Sequence, residues 1–240
     1  NDIIGKTAKS AGYPIMVPVV DLVEIGNGGG SIAWVDEYQK LHVGPQSAGA
    51  LPGPASYGKG GQEATTTDAN LSLGRINADY FCGGAINADM KAVNSSLDKL
   101  ADELKIDRQE AARGIVRIAN NNMVNAVKLV SVNRGYDPRD FTMIAFGGGG
   151  GMHACELASE LGIKKVVIPK QSAVFSAWGM LMCDIRRDFI QTQIIELNTE
   201  SAMDDLNQVL DSLENKAITE FAAEDIAKSR IQFTRFGRFR

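Results

Sequence analysis

Phe141-Thr142-Met143-Ile144-Ala145-Phe146-Gly147-Gly148-Gly149-Gly150-Gly151-Met152-His153 is the stretch on which the reading of this chain turns. The apolar run that opens it predicts a short buried strand. After the five glycines, residues 152–161 have helical character and Gly162 can close them in the left-handed conformation. Lys165-Val166-Val167-Ile168 then supplies a second strand before Pro169. Strand, glycine loop, helix and strand make the parallel crossover of an α/β sheet. Bare backbone at the end of a strand lets a ligand approach closely, and the helix that follows offers free N–H groups and a partial positive charge. Residues 147–151 are therefore predicted to bind an anion or nucleotide. A plain flexible connector is the weaker reading, because ordering five glycines costs much conformational entropy.

Towards the amino terminus, helix dominates residues 88–133. Met90, Val93, Leu97, Leu100, Ala101 and Leu104 fall at three- and four-residue spacings, the mark of one buried stripe. Asp107 with Glu110 resembles a capping box and opens a second helix. Its expected apolar face is Ala111, Ile115, Ile118, Ala119, Met123, Ala126, Val127 and Val130, and it is expected to end near Arg134-Gly135. Strands are expected at 16–20, 22–25 and 31–35. Asn27-Gly28-Gly29-Gly30-Ser31 lies between the last two and resembles a hairpin turn whose amides and hydroxyl can wrap a phosphate. Residues 44–61 carry three prolines and six glycines, which predicts a long ordered loop. Beyond Asp184 a further lobe is expected to begin, with strand-like residues 189–197, a helix over 201–222 and an alternating, strand-like end over 230–240.

With 240 residues and 44% hydrophobic content, the chain is long enough to bury a substantial core. Its 29 acids and 25 bases leave a net charge of −4, which argues against a nucleic-acid or membrane partner. Cys82, Cys155 and Cys183 are far apart, so neither a zinc cage nor a disulfide framework is suggested. The cytoplasm is the expected setting, since no signal peptide or membrane-spanning run is visible. The first residue is not Met, and the alternating end stops without a partner. Both ends are expected to be cuts through a larger protein. Gly149-x-Gly151-x-x-Ala154 formally fits a dinucleotide fingerprint, but the next strand ends in Ile168-Pro169-Lys170 rather than in an acid for a ribose hydroxyl.

Several blocks stand in one order along the chain: 28–36, Val43-Gly44-Pro45, Pro52-Gly53-Pro54, Thr67-Asp68-Ala69-Asn70, Leu73-Gly74-Arg75, 134–141, the glycine loop with His153-Ala154, and 175–180. Together they resemble the hydantoinase A / 5-oxoprolinase family, over roughly residues 26–188. The resemblance implies an α/β, actin-like ATPase (ribonuclease H-like) fold, here incomplete and with a helical insertion. Residues 1–188 would be part of that ATPase domain, and 189–240 the truncated start of a C-terminal segment. It further implies ATP with Mg2+, a phosphate hairpin at Gly28, Gly29, Gly30 and Ser31, and an adenosine-side loop at Gly147, Gly148, Gly149 and Gly150. Asp68 and Asp36 are the acids put forward to hold hydrated Mg2+ or a nucleophile. His153 is put forward to donate to a phosphoryl oxygen, and Arg75 to pair with phosphate.

The implied activity is ATP-dependent hydrolysis of a cyclic amide such as hydantoin or 5-oxoproline, activated by phosphorylation, with a hydantoinase B-like subunit as partner. An ATP-using subunit of an acetone or acetophenone carboxylase is the close alternative. A non-catalytic nucleotide-dependent scaffold is the alternative of another class. The sequence departs from the family where Gly149 and Gly151 replace Ala and Pro, and where Ser56 stands for a common Cys. The family's amino-terminal lobe, with its Asp-x-Gly-Gly-Thr loop, is not seen. Residues 2–9 faintly resemble the second such loop. The fragment alone is therefore expected to be inactive.

Overall fold

Three helices start where a short polar side chain takes up amides that a first helical turn leaves free. α1, Thr66–Ser72, has a complete capping box between Thr65 and Asp68. α2, Met90–Leu104, begins at Asp89, whose carboxylate accepts from the amides of Lys91 and Ala92. α3, Arg108–Val130, begins at Asp107, which accepts from Glu110 N at 2.8 Å. The reciprocal half of the expected capping box is absent there. α3 gives way to a short 3-10 turn, Val132–Arg134, and Gly135 closes it at φ 83°.

The computed structural model describes residues 22–195 and 200–237. The strand expected at 16–20 and the loop-like residues 2–9 lie outside them. The described residues fall into two compact units, Leu22–Cys183 and the residues beyond it.

In the first unit, β1, Ser31–Val35, pairs antiparallel with β2, Leu41–Ser47, so that Trp34 faces His42. β2 corrects the expectation of an unbroken loop over 44–61. Pro45 lacks an N–H, but one strand of a two-stranded hairpin has a free edge where none is required. Residues 22–25 form no strand: an apolar run supplies side chains but not a ladder, and no strand lies beside it among the described residues.

The main core joins this hairpin to α1, α2 and α3 through Ala33, Val43, Leu71, Val93, Leu97 and Ile115. α3 buries a broader and slightly rotated face than expected. It includes Ala112, Val116, Asn120 and Val124, while Val130 is exposed. The cause is packing on two sides, against α1 and α2 and also against α4.

β3, Thr142–Ile144, runs parallel to β4, Lys165–Val167, with α4, Gly150–Leu161, crossing between them. The crossover is the one expected, and Gly162 closes α4 at φ 69°. The strand is not buried as expected, since Phe141 and Ile144 are each 52% exposed. Successive side chains of a strand point to opposite faces. Met143 turns towards Leu157 and Leu161 of α4, whereas the other face is uncovered among the described residues. α5, Phe175–Leu181, follows.

The second unit contains α6, Ala202–Ala222. Residues 189–195 and 231–237 form no strand, Arg230 ends a short 3-10 turn, and residues 196–197 and 238–240 lie outside the described residues. Both flanks instead attach to α6 by side chains. Arg187 pairs with Glu220 at 3.5 Å and with Glu224, and Arg235 reaches Glu214 at 2.7 Å and Asp211 at 3.0 Å. No described helix is long and apolar enough to cross a membrane.

Candidate functional site

The turn before β1 is tied down on three sides. Gly28 N donates to Ser31 Oγ at 2.8 Å, and Ser31 N returns to Gly28 O at 3.1 Å. Gly29 O accepts from both the amide and the hydroxyl of Thr67, in the first turn of α1, at 2.8 and 2.9 Å. Asn27 Nδ2 donates to Ala119 O of α3 at 2.9 Å. Gly29 and Gly30 keep amides that donate to nothing among the described residues. A β-carbon on Gly29 would lie 2.7 Å from Thr67 Oγ1, and one on Gly30 would lie 2.9 Å from Ser47 Oγ. The glycines therefore permit the turn to sit this close to its supports.

The second loop follows β3. Gly147, at φ 85°, donates to Ser172 O at 2.8 Å. α4 begins inside the glycine run and has no side-chain cap. The amides of Gly148, Gly149, Gly150 and Gly151 donate to nothing among the described residues. Above Gly147 and Gly148 there is open space, with no atom within 4 Å of a built β-carbon. Free amides, the positive end of α4 and uncrowded backbone together form a cradle for an anion.

His153 lies in the first turns of α4 and is buried. Its Nδ1 meets Asn120 Oδ1 at 2.6 Å. Asn120 Nδ2 donates to Glu156, and Glu156 in turn pairs with Arg75. Because the Asn120 amide gives its hydrogen to Glu156, its oxygen faces the imidazole. Nδ1 of His153 then carries the proton and Nε2 the lone pair. Burial pushes the imidazole below its ordinary range, and the Arg75 charge adds to this against the opposing pull of Glu156. The unfolded chain thus binds a proton near pH 6.5 that the folded one refuses. Stability is expected to fall as pH drops below that value, and His153→Gln should flatten the dependence in melting curves taken between about pH 5 and 7.

Asp68 is fully buried and accepts four hydrogen bonds. They come from Ala55 N at 3.2 Å, Ser56 N at 2.9 Å, Thr65 N at 3.0 Å and Thr65 Oγ1 at 2.8 Å. Asp36 lies in the turn between β1 and β2. It accepts from the amides of Tyr38 and Lys40, each at 2.9 Å, and its other oxygen is 2.7 Å from His42 Nε2. These bonds, His42 first, hold the Asp36 carboxyl below its usual range. His42 stacks on Trp34 with centroids 4.6 Å apart.

α3 thus carries neighbouring anchors: Ala119 bonds to Asn27, just before the first turn, and Asn120 to His153, two residues after the glycine run. Asp68 is near the turn through α1. Asp36 is at the far end of β1, roughly 17 Å along the strand from Ser31. Arg75 reaches Glu156. Sequence reasoning overlooked Asn120, Glu156 and His42, and the side-chain role of Asn27. One signal was available: Asn120 is on an apolar helix face in register with Val116 and Val124, where an amide requires a partner.

Solved structures of similar chains share this fold. The ATP-dependent caprolactamase from Pseudomonas jessenii matches at TM-score 0.70 and 43% identity, over 87% of this chain and 30% of that one. A nucleotide-free acetone carboxylase matches at TM-score 0.74 and 26% identity, over 86% and 30%. The fold is accordingly the actin-like ATPase α/β fold. The model of the hydantoinase/oxoprolinase family matches residues 3–189, and the chain belongs to that family. Among curated relatives, the caprolactamase alpha subunit of Pseudomonas jessenii is 44% identical over 209 residues, 86% of this chain and 30% of its own length. The acetophenone carboxylase gamma subunit of Aromatoleum aromaticum is 38% identical over 222 residues, 89% and 30%. The chain spans about 30% of the length of these relatives.

Proposed function

We propose that this chain is the nucleotide-binding part of an ATP-dependent cyclic-amide hydrolase, in which residues 28–31 and 147–150 take opposite ends of one ATP. The observation that carries the reading is the set of unpaired amides on two glycine segments fastened to the same turn of α3. Gly29 and Gly30 would receive phosphate oxygens, with the Ser31 hydroxyl hydrogen beside them. Gly147, Gly148, Gly149 and Gly150 would accommodate the adenosine side. Open backbone and free donors fit an anion of this kind. Among the described residues no group of three or more His, Cys, Asp or Glu is set to hold a metal. Mg2+ would therefore be carried mainly by phosphate and water, as is usual for this ion.

When bound, ATP supplies a phosphoryl group that turns an amide oxygen into part of a good leaving group. The chain's own residues position and neutralise charge. His153 would be neutral with its lone pair on Nε2, so donating to a phosphoryl oxygen would require a protonation that its burial opposes. Asp68 would act by holding the loop ahead of α1, and Asp36 through its bond to His42. Residues 1–188 would belong to the ATPase domain and the remainder to the segment that follows it. A hydantoinase B-like partner and a cytoplasmic setting complete the proposal.

The similarity to the acetophenone carboxylase subunit and to acetone carboxylase favours a second reading, an ATP-using carboxylase subunit. ADP release by the full-length protein with its partner subunit, on hydantoin, 5-oxoproline or caprolactam against a ketone with bicarbonate, separates the two. Turnover on ketone alone would overturn the hydrolase.

A further inference from the structure

We infer that Asn27 and Asn120 are positioning residues that hold the two glycine segments at a set separation by fastening both to one turn of α3. This rests on the proposal that the two segments take a single nucleotide. Asn27 Nδ2 binds Ala119 O at 2.9 Å across 92 residues of sequence. Asn120 Oδ1 binds His153 Nδ1 at 2.6 Å across 33. The two anchors are consecutive residues of a regular helix, so their spacing is fixed by helix geometry rather than by either loop.

Neither bond belongs to a backbone ladder, and among the described residues neither glycine segment has another side-chain hydrogen bond to α3. The turn at Gly28 is otherwise held by Thr67 and by Ala48, whose amide meets Gly30 O at 2.9 Å. The loop after β3 is otherwise held by Gly147 to Ser172 O. A ligand that spans both segments needs them at one distance, and two loops anchored to different elements would drift independently. Fixing that distance beforehand removes an ordering cost from binding. Asn120 is itself held by its bond to Glu156, which Arg75 pins from beyond α1. The anchor is thereby oriented before any ligand arrives.

The test uses the full-length protein and two readouts. Hydrogen exchange without nucleotide should rise about three- to tenfold in the peptide covering 147–153 for Asn120→Ala, and in that covering 26–31 for Asn27→Ala, the scale of one hydrogen bond. Exchange in α2 should stay at the wild-type rate. ATP titration should show each variant binding about three- to tenfold more weakly. Asn120→Asp keeps an oxygen for His153 but sets a carboxylate against Glu156, so exchange at 147–153 should fall between wild type and Asn120→Ala. It should also move the acid side of the ATP-binding pH profile upward, because a carboxylate beside the imidazole favours its protonated form.

Unchanged exchange in both peptides, or a rise spread evenly through α2 and α4, overturns the inference. If Asn120→Ala does not fold, Asn27→Ala decides it by the same criteria. A wild-type protein that ignores ATP would count against the proposed function alone, since the exchange measurements contain no nucleotide and still decide whether the tethers hold the loops.

Discussion

Asp68→Ala is expected to lower the stability of the protein by about 3–5 kcal/mol, because it strands donors that the fold has already taken from water. The carboxylate is fully buried and takes donors from two separate places in the chain, the adjacent Ala55 and Ser56 and the residue Thr65. Oδ2 alone takes three of the four donors. Asp68→Asn should therefore lose less, since its amide oxygen can take that position while its NH2 group meets only the Ser56 amide. Thr67, next to Asp68, holds Gly29 O, so the same change should loosen the turn at Gly28. Denaturant unfolding of both variants checks the ranking. An alanine variant within about 1 kcal/mol of wild type would mean that the four bonds contribute little.

Gly148→Val should do the reverse, leaving the fold intact while weakening ATP binding by about 10- to 100-fold. A β-carbon at Gly148 meets no atom within 4 Å, so the side chain projects into the space proposed for the nucleotide. Gly147→Val provides the contrast. Its space is also open, but φ 85° strains any branched side chain, so stability and binding should fall together. Melting temperature and ATP titration, read side by side, separate the two effects. Wild-type affinity in Gly148→Val would remove the loop from the nucleotide site.

What could be read from the sequence was the part governed by near neighbours. Asp107, the glycine run and Gly162 each act within one turn of their own position, and the helices they bound lie where local chemistry puts them. β2 escaped notice because Gly44 and Pro45 look like loop residues unless a free strand edge is known to be present. The exposure of Ile144 and Phe141 also escaped, since hydrophobicity reports what a side chain favours and not what covers it. The site divides in the same way. Both glycine segments are contiguous and visible, whereas the link from His153 through Asn120 and Glu156 to Arg75 joins residues 33, 36 and 81 positions apart. No local pattern encodes those distances.

α3 has 23 residues and Ala119 is its central one, with 11 on either side. The helix is roughly 35 Å long, so both fastenings sit at the middle of a rod. Fraying starts at helix ends and moves inward, so an opening wave from either terminus must unwind about half the helix before it reaches them. Bending displaces the tips of a rod relative to its centre far more than it separates two adjacent points at that centre. The protein has placed its attachment points at a mechanical node, where motion at the periphery is least able to alter the gap between them.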